Sequence, residues 1–346
     1  MVLRKLGNSK LIVSSIGIGS QFWGGNQDLK ESYRQLDYAF DHGINFIDTA
    51  EIYPVPYSKK TWGGSEKIIG SWLKKKKLRS KAIIATKIAG RSKEFPYIRK
   101  GNLTLDKKNI RKFTDESLKR LNTDYLDLVQ IHWPDRSTNF FGQLEYNHIK
   151  NEKSIEIKET LFALKEQVKA GKIREIGVCN ETPWGLSRYL KESEMYNLPK
   201  ISSIQHPYNL LNRNFEISHS EISIRENVSL ICYSPLAHGS LTGKYRNGII
   251  PKNSRYKKYP FFKRYKNNRC IEASNFYIDL ADKYNINPAQ SALAFILTKP
   301  FVSSVLISVS NVRQLALNIE ATNISLSKNF INEINSYHKL NPNPSH

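Results

Sequence analysis

Asp48 and Tyr53 stand five residues apart in NFIDTAEIY, where a short apolar run has just ended. Lys87 closes AIIATK, and His132 sits near the end of DLVQIHW. A tyrosine hydroxyl ordinarily titrates near ~10, which makes it a reluctant acid at neutral pH. A neighbouring ammonium favours the phenolate, and a carboxylate can hold that ammonium in place. A histidine adds a hydrogen-bond donor that aligns a substrate carbonyl. The four residue types therefore suit proton delivery to a carbonyl oxygen. No side chain supplies a hydride, so reduction of that carbonyl requires a nicotinamide. Singly, each residue has a plainer reading: Asp48 as a helix N-cap, Tyr53 as a loop aromatic, Lys87 as a surface residue, His132 as a core histidine. Their convergence is what argues for chemistry.

That convergence depends on the elements carrying them. In a parallel α/β chain the carboxyl ends of successive strands open on one shared mouth. Eight strand-like runs recur, at 14–19, 45–50, 82–87, 127–133, 173–180, 201–207, 229–235 and 302–309. Their short apolar cores suit strands covered on both faces. Helix-patterned segments lie between them. Leu29, Tyr33, Leu36 and Phe40 form one stripe after a capping-box-like Asp28 and Glu31, and Gly43 ends it. Gly171 stops a second helix, and Asn287 with Pro288 opens another. Lys74 to Lys77 fall at a helix end, where cations complement the helix dipole. The opening VLRKLGNSKLIVS reads as a hairpin turning at Gly7 and Asn8.

Eight βα units without a compositional break predict one domain over residues 1–346, a (β/α)8 TIM barrel with an N-terminal β-hairpin. An open doubly wound sheet is the weaker alternative, because GIGSQFWGG lacks the GxGxxG spacing. Two connections are unusually long, from Pro134 to about Glu159 and from Leu236 to about Asn268. Both leave the catalytic mouth, where long loops commonly bind substrate or cofactor.

The 346 residues are 40% hydrophobic and 24% charged, an ordinary globular balance. Cys179, Cys232 and Cys270 are odd in number, far apart and without metal-ligand spacing. They read as reduced thiols, and no metal is expected. No apolar run reaches the ~18 residues of a membrane span; Lys299 and Pro300 interrupt the best candidate. The N-terminus lacks a signal-peptide core. A cytoplasmic location without a membrane partner is the expectation. The net charge of +22 raises the question of nucleic acid. Lysine outnumbers arginine 36 to 17 amid abundant Ile and Asn, which fits a compositional bias spread over the surface. Segment 251–269 is denser in basic and aromatic residues. It reads as a loop over an anionic cofactor, and no specific nucleic-acid partner is expected.

Across nearly the whole chain, AFDHGINFIDTAEIYP, SLKRLNTDYLDLVQIHWP, AGKIREIGVCNET, IQHPYNLLNR, YSPLAHGSLTGKY and SNVRQLALNIEA resemble the aldo-keto reductase family. The likeness is closest to its bacterial Tas-like branch. The resemblance implies a (β/α)8 barrel that uses NADPH/NADP+ on a small-molecule carbonyl substrate. It makes Tyr53 the general acid, with Asp48, Lys87 and His132 as partners. Asn180 and Gln205 would bind the nicotinamide carboxamide, and Tyr233 would stack on its ring. The run Ser234, Pro235, Leu236, Ala237, His238, Gly239, Ser240, Leu241, Thr242, Gly243 and Lys244 would wrap the pyrophosphate, with Arg255 close by. Ser308, Ser310, Gln314 and Asn318 would hold the adenosine end, and Ser20 and Asp48 complete the implied cofactor contacts. Ser310 also reads as the start of a helix whose free N–H groups suit an anion.

The sequence departs from the family pattern in two places. Cys179 stands where Ser is common, which weakens one hydrogen bond to the carboxamide. Ser308 to Ser310 and Gln314 stand where strongly NADPH-selective members carry Lys and Arg. Trp23, Trp62, Trp133, Phe140 and Phe141 are expected around an apolar mouth. The leading reading is an NADPH-dependent carbonyl reductase, or the reverse alcohol oxidation. The alternative is a regulatory barrel that holds NADPH with little turnover, as some relatives associated with potassium channels do; retention of the full acid apparatus weighs against it. A Schiff-base lyase acting through Lys87 would need neither Tyr53 nor the pyrophosphate motif.

Overall fold

Eight parallel strands close on themselves in this computed structural model, which describes residues 1–25 and 28–345. A short antiparallel hairpin precedes them, formed by β1 (Leu3–Lys5) and β2 (Ile12–Ser14). The barrel follows as β3 (Ile16–Gly19), β4 (Phe46–Asp48), β5 (Ile83–Ile88), β6 (Leu126–Ile131), β7 (Ile173–Cys179), β8 (Ile201–Pro207), β9 (Ser229–Tyr233) and β10 (Val302–Ile307). They lie in sequence order, and β10 closes onto both β9 and β3. This is the (β/α)8 barrel with an N-terminal hairpin that the sequence predicts. The open-sheet alternative is excluded by the β10–β3 pairing, Val305 opposite Ile16.

Alternation along the strands divides the apolar residues between two cores. Ile47, Ile84, Val129, Ile176, Ile204, Leu230 and Val305 are buried among the surrounding helices. Phe46, Ala85, Leu128, Ile231 and Leu306 instead meet Leu6, Leu11 and Val13 of the hairpin segment. The hairpin therefore stoppers the amino end of the barrel. Burying each such large side chain contributes about 1.5–3 kcal/mol. Gly7, at φ 53°, lets the turn press so closely on the barrel that a Cβ would stand 2.1 Å from the Ser202 carbonyl oxygen.

The helix ends largely follow the sequence signals. Asn287 accepts hydrogen bonds from the N–H groups of Ala289 and Gln290, and Pro288 opens the helix Pro288–Leu297. Lys74, Lys75 and Lys76 occupy the last turn of Gly64–Lys76. The first helix, Leu29–Asp41, corrects two expectations. Asp28 stands at the N-cap, but its side chain makes no cap hydrogen bond, and Glu31 reaches Arg34 and Gln35 instead. Leu29 is 50% exposed, so the buried stripe consists of Ser32, Gln35, Leu36 and Ala39, with Tyr33 and Phe40 only partly covered.

The two long connections lie where expected. One precedes the helix Ile157–Lys169; the other holds short turns at Ala237–Thr242, Arg246–Gly248 and Arg255–Lys258 before the helix Asn268–Lys283. Among the described residues, no helix is long and apolar enough to cross a membrane. The three cysteines are buried and free.

Candidate active site

Strand ends place the four reactive side chains together at the carboxyl mouth. Asp48 ends β4, Lys87 lies near the end of β5, and His132 directly follows β6. Lys87 is wholly buried. Its Nζ donates to Asp48 Oδ2 at 2.5 Å and to the Thr49 carbonyl at 2.8 Å. Asp48 Oδ1 accepts from Gln205 Nε2 at 2.8 Å and from Gln130 Nε2 at 3.2 Å. A buried carboxylate–ammonium pair persists only with its remaining lone pairs satisfied, and these two amides do that. Lys87 Nζ stands 5.3 Å from the centre of the Tyr53 ring. The Tyr53 and His132 rings meet edge to face at 5.9 Å.

Electrostatics within this group corrects one expectation. Tyr53 keeps some area open to the cavity, yet protein encloses its phenol. Burial pushes that phenol well above the ordinary tyrosine range, and the Asp48 carboxylate adds to the effect. Desolvation outweighs the acidifying pull anticipated from Lys87, whose ammonium is already engaged by Asp48 and Thr49. Burial also lowers His132 far below the ordinary imidazole range, with Lys87 contributing, so the ring is neutral. His132 Nδ1 is buried without a hydrogen-bond partner. An unpaired buried donor or acceptor alike costs about 1–3 kcal/mol; with its proton on Nε2 the neutral ring can donate to a group in the cavity.

A cavity of about 1380 Å³ opens over this group. Asp48, Tyr53 and His132 line it, while Lys87 lies behind its wall. Of the residues implied for cofactor binding, Asn180, Gln205, Tyr233, Ser234, Pro235, Leu236, His238, Gly239, Thr242, Lys244, Arg255, Ser308, Ser310, Gln314 and Asn318 also line it. Ser20, Ala237, Ser240, Leu241 and Gly243 do not. Ser20 is fully buried, Ala237 and Leu241 belong to the core, the Ser240 hydroxyl bonds with that of Tyr256, and Gly243 forms a turn at φ 83°.

Asn180 sits at φ 54°, a left-handed conformation that Asn tolerates better than most residues. Its Nδ2 donates to the His132 carbonyl at 2.9 Å and to Cys179 Sγ at 3.1 Å, and its Oδ1 accepts from Tyr233 Oη at 2.7 Å. Burial raises the Cys179 thiol to about 12. This thiol, not a hydroxyl, links Asn180 to Gln205, whose Oε1 it faces at 3.8 Å.

The loop after β9 brings cations to the cavity. Lys244 folds over Gly239, where a Cβ would meet Lys244 Cε at 2.5 Å. Desolvation and then Arg255 lower the Lys244 ammonium to about 8, though its side chain remains accessible from the cavity. Arg255 lies between Phe22 and Phe262, at 4.8 and 5.5 Å from their ring centres. Neither cation has a carboxylate partner among the described residues. Ser234, Ala237 and His238 all hold positive φ, the backbone habit of loops that cup anions. Ser310 does not start its helix. Asn311 caps Val312–Glu320, and Gln314 Oε1 already accepts from the Ser310 N–H at 3.0 Å.

Of the aromatics expected at the mouth, Trp133, Phe140 and Phe141 line it. Trp23 is in the main core, and Trp62 packs over Arg120. Sequence reasoning missed Gln130, which braces Asp48, and Arg264, which lines the cavity and brings its charge near the hydroxyls of Tyr233 and Tyr265. Gln130 was findable, since it lies two residues before His132 on the same strand face; Arg264 was lost within a uniformly basic segment.

The arrangement joins a protonated phenol, a neutral imidazole and a buried ion pair to a cavity lined by cations that lack carboxylate partners among the described residues. Comparison with known proteins gives this chemistry a family. Protein tas of Escherichia coli strain K12 is 43% identical over 345 residues, covering 100% of both chains. An aldo-keto reductase of Babesia bovis is 37% identical over 274 residues, 75% of this chain and 96% of its own. The NADH-specific methylglyoxal reductase of Escherichia coli strain K12 is 28% identical over 339 residues, 93% of this chain and 94% of its own. A model of the aldo/keto reductase family matches residues 15–339; on this match and these relatives, the chain belongs to the aldo/keto reductase family, whose members are oxidoreductases.

Proposed function

We propose that this chain is an NADPH-dependent oxidoreductase that reduces an aldehyde or ketone to the alcohol, with Tyr53 as proton donor. The observation that carries this reading is the Lys87–Asp48 pair at 2.5 Å, set behind the Tyr53 and His132 rings at the floor of the cavity. His132, neutral and protonated on Nε2, orients the carbonyl oxygen by a hydrogen bond. Tyr53 gives its proton to that oxygen as negative charge gathers there. A phenol raised by burial is fully protonated at neutral pH and ready to donate. The phenolate left behind lies near the Lys87 ammonium, which stands 5.3 Å from the Tyr53 ring centre and is held in place by Asp48. Asp48 is itself fixed by Gln130 and Gln205.

The residues present fit a dinucleotide. Lys244 and Arg255, cations without carboxylate partners, would hold its phosphates beside the positive-φ loop 234–239. Asn180 and Gln205 would hold the carboxamide, Tyr233 the ring, and Ser308, Gln314 and Asn318 the adenosine end. When bound, the reduced nicotinamide supplies the hydride. The single domain read over 1–346 and the cytoplasmic location belong to the same proposal, the latter supported by the three free, buried cysteines.

The test is a panel of aliphatic and aromatic aldehydes, ketones and dicarbonyls. Loss of NADPH or NADH absorbance is followed together with formation of the alcohol. Turnover with NADPH is expected on several members of the panel. Consumption only of NADH would overturn the cofactor choice, and no turnover with either would overturn the reaction.

A further inference from the structure

The loop carrying Tyr53 is fastened from behind by two charged groups that the proposed reaction does not use. Glu51, fully buried, accepts from the Ala89 N–H at 2.6 Å through Oε1 and from Arg99 Nη1 at 2.5 Å through Oε2. Arg99 turns its Nη2 to the carbonyl of the same Ala89 at 2.9 Å. Ala89 is thus gripped on both its N–H and its C=O, two residues beyond Lys87. Glu51 lies between Asp48 and Tyr53 in the chain, and its own N–H donates to the Lys87 carbonyl at 3.2 Å.

Arg99 also brings in a third segment. Phe95, Ile98 and Leu103 form a small apolar cluster with Ala50, Ile52, Ala89 and Trp133, and Tyr53 packs against it. Phe95 and Trp133 stack at 6.1 Å and line the cavity. Arg99 and Lys100 hold φ of 44° and 56°, two consecutive left-handed residues of a kind that favours glycine. Such backbone persists where its surroundings over-determine it, commonly beside functional sites. The buried pair supplies that constraint: deleting either partner leaves the other charge unpaired in the interior.

We propose that Glu51 and Arg99 are positioning residues. Their ion pair locks the Tyr53 loop, the Lys87 strand end and the Phe95–Trp133 wall into one unit, so that the carbonyl meets the phenol in a reactive geometry. The inference rests on the carbonyl-reductase reading above.

The test compares full-length wild type with Arg99→Met, Arg99→Lys and Glu51→Gln. Each is measured for Tm, for NADPH affinity by fluorescence, and for kcat and KM on the best carbonyl of the panel. A misplacement of ~1 Å can cost ~100-fold in rate, so kcat per NADPH-binding site should fall roughly 10- to 100-fold in Arg99→Met with NADPH affinity unchanged. Arg99→Lys, which keeps the charge, should recover part of the loss. A merely structural pair would lower Tm and the folded fraction while leaving kcat per NADPH-binding site at the wild-type value; that result overturns the proposal. If Arg99→Met does not fold, the other two variants decide: wild-type kcat in both overturns the clamp, and reduced kcat in either supports it. An active wild type with unaffected variants sinks the positioning role alone, whereas an inert wild type sinks the reductase reading with it.

Discussion

Tyr53 carries opposed demands that only its surroundings reconcile. Burial and Asp48 hold the phenol protonated well above its ordinary range, which suits an acid in the reductive direction. With cofactor saturating, kcat for reduction is therefore expected to stay flat from pH 6 to 9, since the donor loses its proton only at higher pH. A pH–rate series checks this, and an alkaline limb centred below ~9 would contradict it. His132 adds no acid limb within that range, because its own titration is pushed far below it. Lys244 behaves differently. Its ammonium, at about 8, is charged below that pH and neutral above it. NADPH affinity is expected to weaken as pH rises through this region while kcat does not. A charge-assisted contact of about 1.5–3 kcal/mol makes Lys244→Ala weaker for NADPH by roughly 10- to 150-fold. Fluorescence titration across pH checks both, and a pH-independent dissociation constant matched by the alanine variant would place the phosphates elsewhere. The residue types and positions of the quartet were legible in the sequence because strand ends share one mouth. The direction of the Tyr53 shift was not, because desolvation depends on what encloses a side chain, and sequence neighbours do not reveal that.

At the scale of elements, the eight strands were legible to within a few residues because β-branched apolar runs, turns and glycines agree. The first helix was less so. Its apparent stripe includes Leu29, which is 50% exposed, while the polar Ser32 and Gln35 are buried, bonded to Asp28 and Glu31 one turn back. The placement of the hairpin was also beyond a sequence reading: a turn at Gly7 is local, but its insertion against Phe46, Leu128 and Ile231 is not. That placement has an energetic consequence. Leu6 is fully buried, and Leu→Ala at such sites costs about 2–5 kcal/mol, so Leu6→Ala should lower unfolding free energy by that order. Denaturant unfolding monitored by fluorescence measures it. The carboxyl mouth lies at the opposite end, so kcat should hold at temperatures where the variant is folded. A loss below about 0.5 kcal/mol, the range of ordinary surface changes, would mean that the hairpin does not stopper the barrel.

Across the whole molecule the charge is strongly positive, +22, yet many basic residues are spent locally. Arg79 and Arg174 pair with Asp127, Arg120 with Glu66, and Arg136 with Glu181. Under the proposed function, the cations without carboxylate partners at the cavity would serve the cofactor, and the remaining positive charge would meet other polyanions only by nonspecific attraction. Any retention on DNA is expected to be independent of sequence and to vanish by roughly 200 mM salt, as nonspecific phosphate contacts do. Retention that survives this salt with a preference for one sequence would contradict that view.

The most direct test of the central claim follows hydride and proton together. With NADPH deuterated at the transferring nicotinamide position, wild-type protein should convert its best carbonyl substrate into an alcohol carrying one deuterium on the former carbonyl carbon, seen by mass spectrometry. Tyr53→Phe should bind NADPH as the wild type does while forming this alcohol ~100- to 10,000-fold more slowly, the usual contribution of a general acid. An alcohol without deuterium, or a Tyr53→Phe variant within a factor of about three of wild type, would contradict the proposed chemistry.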